Sequence, residues 1–371
     1  MKLLIEKNIL LESLTNVMRA ISPKNIIPIL NGVMFDLKED GLYLTASDSD
    51  LTIRNFIPKE KIKNIAIPGK IVIQSKYLLE IIRKLPNGDI NIEVIDGLKI
   101  IISTDKTIYN LNCLDTADYP DINLEEVENP IVINSTTLKQ AFNKTLFAVS
   151  TQESRPILTG INLKINGNVM ECVATDSYRL AKKTITLDNA YDSRDIVIPG
   201  KNINELDKLI TEESDVEIHV FNNKIVFKYM NYIFQSSLLS GSYPNTNNLI
   251  PTKFEFVITT SLNDYYNAID RAALLTQNKD KNIIKMETNN TELLISSYAS
   301  EIGKSEESIL INKSTEQDIS ISFSSKYMID ALKTFEDEEL IIFLNNDSSP
   351  IILKSAKDET LIQLILPIKT Y

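Results

Sequence analysis

One histidine, His219, and two cysteines, Cys113 and Cys172, occur in 371 residues. These scarcities exclude much hydrolytic, metal and thiol chemistry. His219 stands between Ile218 and Val220 in an alternating, strand-like run, which predicts a structural imidazole, and no Ser-His-Asp set forms around it. HExxH, CxxC and Cys/His clusters are missing, so neither a metal site nor a cofactor is expected. Both cysteines lie in apolar-alternating runs and read as buried thiols of a reducing compartment. Gly303-Lys304-Ser305 resembles the end of a Walker A loop, but Tyr298 stands where that loop needs its first glycine. No apolar run reaches the ~18 residues of a membrane span, and Met1 to Lys7 do not read as a signal peptide. A cytoplasmic protein with no membrane partner is expected. Asp48 and Asp176 remain as candidates for an Asp-dependent hydrolase. Asp176 lacks the second carboxylate that Asp50 supplies beside Asp48, which favours a turn-capping role for both.

The formal net charge is −11. That sign opposes tight binding to nucleic acid through many phosphate contacts and favours solubility. Any nucleic-acid role must work around it.

What the chain does contain is a repeat, with a period of about 125 residues, the size of whole domains. Ile29-Leu30-Asn31-Gly32 returns as Ile157-Leu158-Thr159-Gly160, and Ala46-Ser47-Asp48-Ser49 as Ala174-Thr175-Asp176-Ser177. Ile67-Pro68-Gly69-Lys70 returns as Ile198-Pro199-Gly200-Lys201, read as turns before helices, and Asp118-Tyr119-Pro120 as Ser242-Tyr243-Pro244. A fainter third copy shows in Ser75-Lys76-Tyr77-Leu78 and Ser325-Lys326-Tyr327-Met328. Three α+β domains are expected, at 1–128, 129–252 and 253–371, each with two helices packed on antiparallel sheets. In the second copy Asn134 or Ser135 is placed to cap a helix running to Ser150, with Leu138, Ala141, Phe142, Thr145, Leu146 and Val149 on one face. Leu78, Leu79, Ile81, Ile82 and Leu85 form the apolar face of a second helix in copy one.

The repeat and particular segments together resemble the DNA polymerase III beta subunit family, the bacterial sliding clamps. The resemblance runs the whole length. Its most specific pieces are Pro28-Ile29-Leu30, Asp118-Tyr119-Pro120, Val173 to Leu180, and the stretch Leu364 to Tyr371. It implies a head-to-tail homodimer whose six domains form a ring around double-stranded DNA, without sequence specificity and without catalysis. It also implies that the replicative polymerase, the clamp loader and repair proteins attach through short linear peptides. A ring holds DNA by enclosure, so an acidic total is tolerable if the inner helices are locally basic. The helix starting at Ser135 carries Lys139 and Lys144 and no acid, whereas acidic runs such as Glu125-Glu126 and Glu336 to Glu339 fall in loops. A scaffold of the same fold that never loads on DNA is the main alternative.

By matching positions, the resemblance implies DNA contact at Lys24, Gln152 and Arg155, with Lys76, Arg83, Lys139, Lys144 and Lys201 as looser candidates. Pro156 and Ile157 stand where the family often has aromatic residues. For the peptide pocket it implies Leu158, Thr175, Ser177, Tyr178, Arg179 and Leu180 from the second copy. Pro244, Asn248 and Leu249 follow at the second join, and Ser324, Tyr327 and Pro350 in the third copy. Leu366, Pro367, Ile368 and Lys369 complete the set, with Asn248 and Lys369 where arginine is common in the family. For the dimer seam it implies Tyr109 and Leu111 on an edge strand, together with Leu274 and Leu275.

Overall fold

The computed structural model describes residues 1–25, 27–96, 98–276 and 282–369. The first third of the chain begins with β1 (Lys2–Glu6), α1 (Lys7–Val17), β2 (Gly32–Leu37), β3 (Gly41–Ser47) and β4 (Leu51–Pro58). It continues with β5 (Ile62–Ile67), β6 (Gly69–Gln74), α2 (Ser75–Lys84), β7 (Asp89–Ile95), β8 (Lys99–Ser103) and β9 (Ile108–Leu114). The second third repeats this order with its middle strands fused. It runs β10 (Ile131–Asn134), α3 (Ser135–Leu146), β11 (Gly160–Thr175), β12 (Arg179–Pro199), α4 (Gly200–Leu209), β13 (Asp215–Val220), β14 (Lys224–Tyr229) and β15 (Tyr232–Ser237). The last third opens with β16 (Phe256–Ser261), α5 (Leu262–Ala273), β17 (Ile283–Asn289), β18 (Glu292–Ala299), β19 (Gly303–Leu310) and β20 (Asn312–Lys313). It closes with β21 (Ser320–Ser324), α6 (Ser325–Leu332), β22 (Glu339–Leu344), β23 (Ile351–Lys354) and β24 (Leu361–Ile365).

The repeated motifs have local physical causes. Gly32 and Gly160 each open a strand where a side chain has no room. A Cβ on Gly32 would come 2.5 Å from Val72 Cγ1 and 3.0 Å from the Ile73 carbonyl; on Gly160 it would come 2.5 Å from the Ile198 carbonyl. Asp48 Oδ1 accepts the amides of Asp50 (3.1 Å) and Leu51 (2.7 Å); Asp176 Oδ1 accepts those of Tyr178 (3.0 Å) and Arg179 (3.1 Å). The residue after each aspartate is left-handed, Ser49 at φ 78 and Ser177 at φ 79. These are side-chain-closed turns, and both carboxylates are committed to them. Tyr119 and Tyr243 are likewise alike. The Tyr119 hydroxyl lies 3.4 Å from the Thr45 carbonyl, and the Tyr243 hydroxyl accepts the Thr175 amide at 3.0 Å.

Two expectations need correction. The Pro-Gly-Lys echo is not a structural repeat: Gly69 starts strand β6, whereas Gly200 starts helix α4. The segment equivalent to Gly200-Lys201 is Ser75-Lys76, which starts α2. Helix α3 also ends earlier than its apolar spacing suggests. Asn134 Oδ1 does cap it, accepting the amides of Thr136 at 2.9 Å and Thr137 at 3.4 Å. Past Leu146, however, the chain tightens into three-residue hydrogen bonds, Ala148 to Thr145 (3.0 Å) and Val149 to Leu146 (3.2 Å).

The chain forms two compact units, Met1–Thr137 with Asn204–Leu238, and Leu138–Ile203 with Leu239–Tyr371. The first holds a 13-stranded sheet in the order β10-β13-β14-β15-β4-β3-β2-β6-β9-β8-β7-β1-β5. The second holds a seven-stranded sheet, β11-β12-β24-β23-β22-β16-β20, and a four-stranded one, β19-β18-β17-β21. Strand pairing thus crosses from one sequence repeat to the next. In the first unit β4 runs antiparallel to β15, Leu51 opposite Ser236. In the second unit β12 runs antiparallel to β24, Arg179 opposite Ile365. For this reason the units and the sequence repeats divide the chain differently.

The third repeat buries its helices against its own sheets. Tyr265, Ala268, Ile269 and Ala272 of α5 meet Met328 and Leu332 of α6 over Ile284, Ile295 and Phe323. A smaller cluster, Val173, Leu180, Ile352 and Leu364, seals the β12–β24 join. His219 is buried in β13, with Nδ1 accepting the Val127 amide at 3.1 Å and Nε2 3.3 Å from a Glu217 carboxylate oxygen. It fastens the connecting segment at Val127. Cys113 and Cys172 are free and buried; burial pushes their thiols up to about 11 and about 12.

Candidate peptide-binding site and nucleic-acid face

The β12–β24 pairing brings the start of β12, α6 and the segment 366–369 that follows β24 to one place in the second unit. Arg179 organises it. Its guanidinium is 9% exposed and donates from Nε to Asp176 Oδ2 at 3.0 Å and from Nη1 to Asp330 Oδ2 at 2.7 Å. Its planar face lies 4.6 Å from the Tyr327 ring centroid and 5.2 Å from that of Phe147. A cation inside a strand is therefore satisfied on every side, by two carboxylates and two rings. Thr175 closes the turn beneath, its hydroxyl donating to the Arg179 carbonyl at 2.6 Å. The Leu366 amide continues the pairing, donating to the Tyr178 carbonyl at 2.9 Å, and the Ile368 amide donates to Ser322 at 2.7 Å.

A cavity of about 690 Å³ opens over this frame. Tyr178, Ser324 and Tyr327 line it with Leu366, Pro367, Ile368 and Lys369. The rings of Tyr178 and Tyr327 stand 6.4 Å apart, inclined by 21°. Burial raises the Tyr327 phenol, and nearby Asp176 adds to the rise, so the hydroxyl stays a neutral donor. The size and the mixed apolar and polar lining suit a short peptide with apolar side chains.

The remaining expected pocket residues are placed differently. Leu158 and Leu180 are buried in the core; Thr175 and Arg179 are buried beneath the cavity. Ser177 accepts from Arg155 Nη1 at 3.4 Å. Pro244, Asn248 and Leu249 are exposed and Pro350 is half-buried; none of the four lines this cavity. Asn282 and Lys326 do line it, and the sequence reading missed both. A usable signal existed for Lys326, since Lys76, Lys201 and Lys326 all stand second in the second helix of their repeats. Residues 277–281 lie outside the described residues, as do Thr370 and Tyr371.

The side chains expected to meet DNA are mostly exposed. In the first unit Lys24, Lys76 and Arg83 are exposed, Arg83 paired with Glu80 of its own helix. In the second unit Gln152, Arg155 and Lys201 are exposed and Lys139 is half-buried. Lys144 does not fit a phosphate contact. Only 13% exposed, it lies 3.5 Å from both Asp358 and Glu336. Asp358 gathers Lys183 as well, at 2.7 Å. Burial opposes the charged Asp358, but the hydrogen bonds from Lys183 and Thr360 and the field of Lys144 outweigh it. The carboxyl is held below its ordinary value.

Of the seam residues, Tyr109 is 36% exposed and Leu111 half-buried on β9, while Leu274 is 63% exposed and Leu275 half-buried after α5. Further exposed apolar side chains are Ile108 (68%) on β9 and Leu310 (77%) on β19, a strand in contact with α5. Among the described residues no group of three or more His, Cys, Asp or Glu is arranged to hold a metal ion, and no helix is long and apolar enough to cross a membrane.

Family models of the DNA polymerase III beta subunit match three consecutive stretches: the N-terminal domain at residues 1–124, the central domain at 132–245 and the C-terminal domain at 247–369. The beta sliding clamp of Bacillus subtilis is 40% identical over the full length of both chains, and that of Staphylococcus aureus 37%. The crystal structure of the DNA polymerase sliding clamp from Bacillus subtilis superposes with a TM-score of 0.96, again covering 100% of both chains. The chain belongs to the DNA polymerase III beta subunit family, the bacterial sliding clamps.

Proposed function

We propose that two copies of this chain close head to tail into a ring on duplex DNA and carry partner proteins by peptides held in the cavity beside Arg179. Sliding clamps are processivity factors and not enzymes, and with that family shown neither the scaffold nor the hydrolase alternative is favoured. The hydrolase reading is further weakened by Asp48 and Asp176, whose carboxylates are occupied in closing turns.

The observation that carries the dimer is a strand left over. Repeat one pairs with repeat two through β4 and β15, and repeat two with repeat three through β12 and β24. The equivalent of β4 and β12 in repeat three is β19, an edge strand; the equivalent of β15 and β24 in repeat one is β9. The outward edge of Ile108–Leu111 and the whole free edge of β19 lack a strand partner among the described residues. A third pairing of the same kind, between β9 of one copy and β19 of another, uses up both edges twice over and closes a ring. Three domains per chain, at 1–128, 129–252 and 253–371, then make six per ring, in a cytoplasmic protein.

Within that ring the DNA contacts are Lys24, Gln152, Arg155, Lys76, Lys201 and Lys139, weak enough singly to allow sliding. Arg83 is a lesser candidate because Glu80 neutralises it, and Lys144 is withdrawn to the Asp358 cluster. Partners are the replicative polymerase, the clamp loader and repair proteins through short linear motifs. Sedimentation tests the seam. The native chain is expected at twice its 41.9 kDa, and Leu310→Asp at the single mass. A native protein that stays at the single mass at micromolar concentration removes the ring.

A further inference from the structure

His219 stands on the outer face of its strand. Alternation along β13 turns Val216 and Ile218 into the core and sends Glu217 and His219 to the opposite side of the sheet. Glu217 stays 44% exposed there, yet His219 is only 1% exposed. Its cover is the segment that joins the first repeat to the second, and three side chains of β13 and β14 hold that segment down. Lys224 Nζ donates to the Asn123 carbonyl at 2.8 Å, Lys228 pairs with Glu126 at 2.8 Å, and His219 Nδ1 accepts the Val127 amide at 3.1 Å.

The histidine fastening differs from the other two in kind. A lysine on a carbonyl or a carboxylate holds over a wide range of pH. An imidazole nitrogen accepts a hydrogen bond only while it is unprotonated. With Nδ1 as acceptor, the neutral ring carries its proton on Nε2, 3.3 Å from a Glu217 carboxylate oxygen. A second proton can go only to Nδ1, where it meets the Val127 N–H donor to donor. The charges around the ring are Glu217 on its own strand, Lys228 on β14 and Glu126 on the connecting segment. On the other side of β13, β10 brings only Ile131, Val132, Ile133 and Asn134. Glu217 attracts an imidazolium, but Lys228 lies 3.6 Å from the same carboxylate and offsets that attraction. A buried imidazolium facing a donor is relieved when the segment lifts and water enters.

We propose that His219 is an acid-released catch. Protonation at Nδ1 frees Val127 and loosens the join between the first and second repeats, while the strands beneath stay paired. A freed imidazole titrates at about 6.5, so at about pH 5.5 it is roughly ten-to-one protonated, and opening is favoured about tenfold over about pH 7.5.

Hydrogen–deuterium exchange of the full-length protein tests this, with rates corrected for the intrinsic effect of pH on amides. The Val127 amide is read against the amides of the β10–β13 pairing beneath it. Both pH values lie above the ordinary carboxylate range, which leaves imidazole as the side chain that titrates between them, and His219 is the only histidine. From about pH 7.5 to about pH 5.5 the corrected protection of Val127 should fall about tenfold while the β10–β13 amides hold. His219→Asn leaves a carbonyl acceptor near the place of Nδ1 and nothing to titrate, so its Val127 protection should not change with pH. Equal protection of Val127 at both pH values in the native protein would overturn the catch. So would a parallel fall at the β10–β13 amides, which means general opening, or an equal fall in His219→Asn, which means another group is responsible. The first two outcomes are read on the native protein alone, whether or not the variant folds.

Discussion

Arg179 is the side chain whose removal tests the site most searchingly. Its attraction to Asp330 at 2.7 Å is worth about 6 kcal/mol at an effective dielectric of ~20. Dehydration of both groups offsets most of that, and Asp330, 30% exposed, keeps some solvent screening. A net coupling of about 1–2 kcal/mol remains. Arg179→Met keeps the stem volume against Phe147 and Tyr327 but strands Asp176, whose side chain is 12% exposed. It should cost about 2–4 kcal/mol, and Asp330→Asn about 1–2 kcal/mol. Urea unfolding of native, both single variants and the double variant gives the coupling directly. Tyrosine fluorescence can follow it, since the chain has 14 tyrosines and no tryptophan. The double variant should cost less than the sum of the singles by about 1–2 kcal/mol. Additivity within about 0.3 kcal/mol would refute the claim that this guanidinium ties β12 to α6.

Other consequences are equally concrete. Gly160→Ala should lose about 2 kcal/mol or more by thermal or urea unfolding, because its Cβ would sit 2.5 Å from the Ile198 carbonyl. Gly167→Ala, whose Cβ meets nothing within 4 Å, should lose only the roughly 1 kcal/mol of a left-handed backbone. Asp358 is held below its unfolded value, so its stabilisation is present above about pH 4 and is lost as pH falls through the folded value. Asp358→Asn should thus lower stability at pH 7 by about 1 kcal/mol and flatten the acid limb of the stability curve. Cys172, fully buried with its thiol pushed up to about 12, should resist a thiol reagent at pH 8 in the native protein and react after denaturation.

Much of this was legible in the sequence because it is local. The Asp48 and Asp176 turns, the Asn134 cap and the apolar faces of the helices depend on neighbours a few residues away. Arg179 stood out because a charge in a strand needs partners, but the partners themselves, Phe147 and Asp330, are remote in sequence and carried no signal. The Pro-Gly-Lys echo misled because the same three residues suit both a strand start and a helix start. Lys144 was assigned by counting charge along a helix, which cannot see Asp358 arriving from a distant turn. The strand pairings that join one repeat to the next were invisible for the same reason: β4 meets a strand about 180 residues away.

The central claim is that the protein holds DNA by enclosing it. The direct measurement loads the protein on nicked circular DNA with a clamp loader, removes free protein, and counts what remains bound before and after a single cut linearises the circle. Enclosure predicts retention on the circle and loss from the linear form, at moderate salt where phosphate contacts alone are weak. Equal retention on both forms would contradict it.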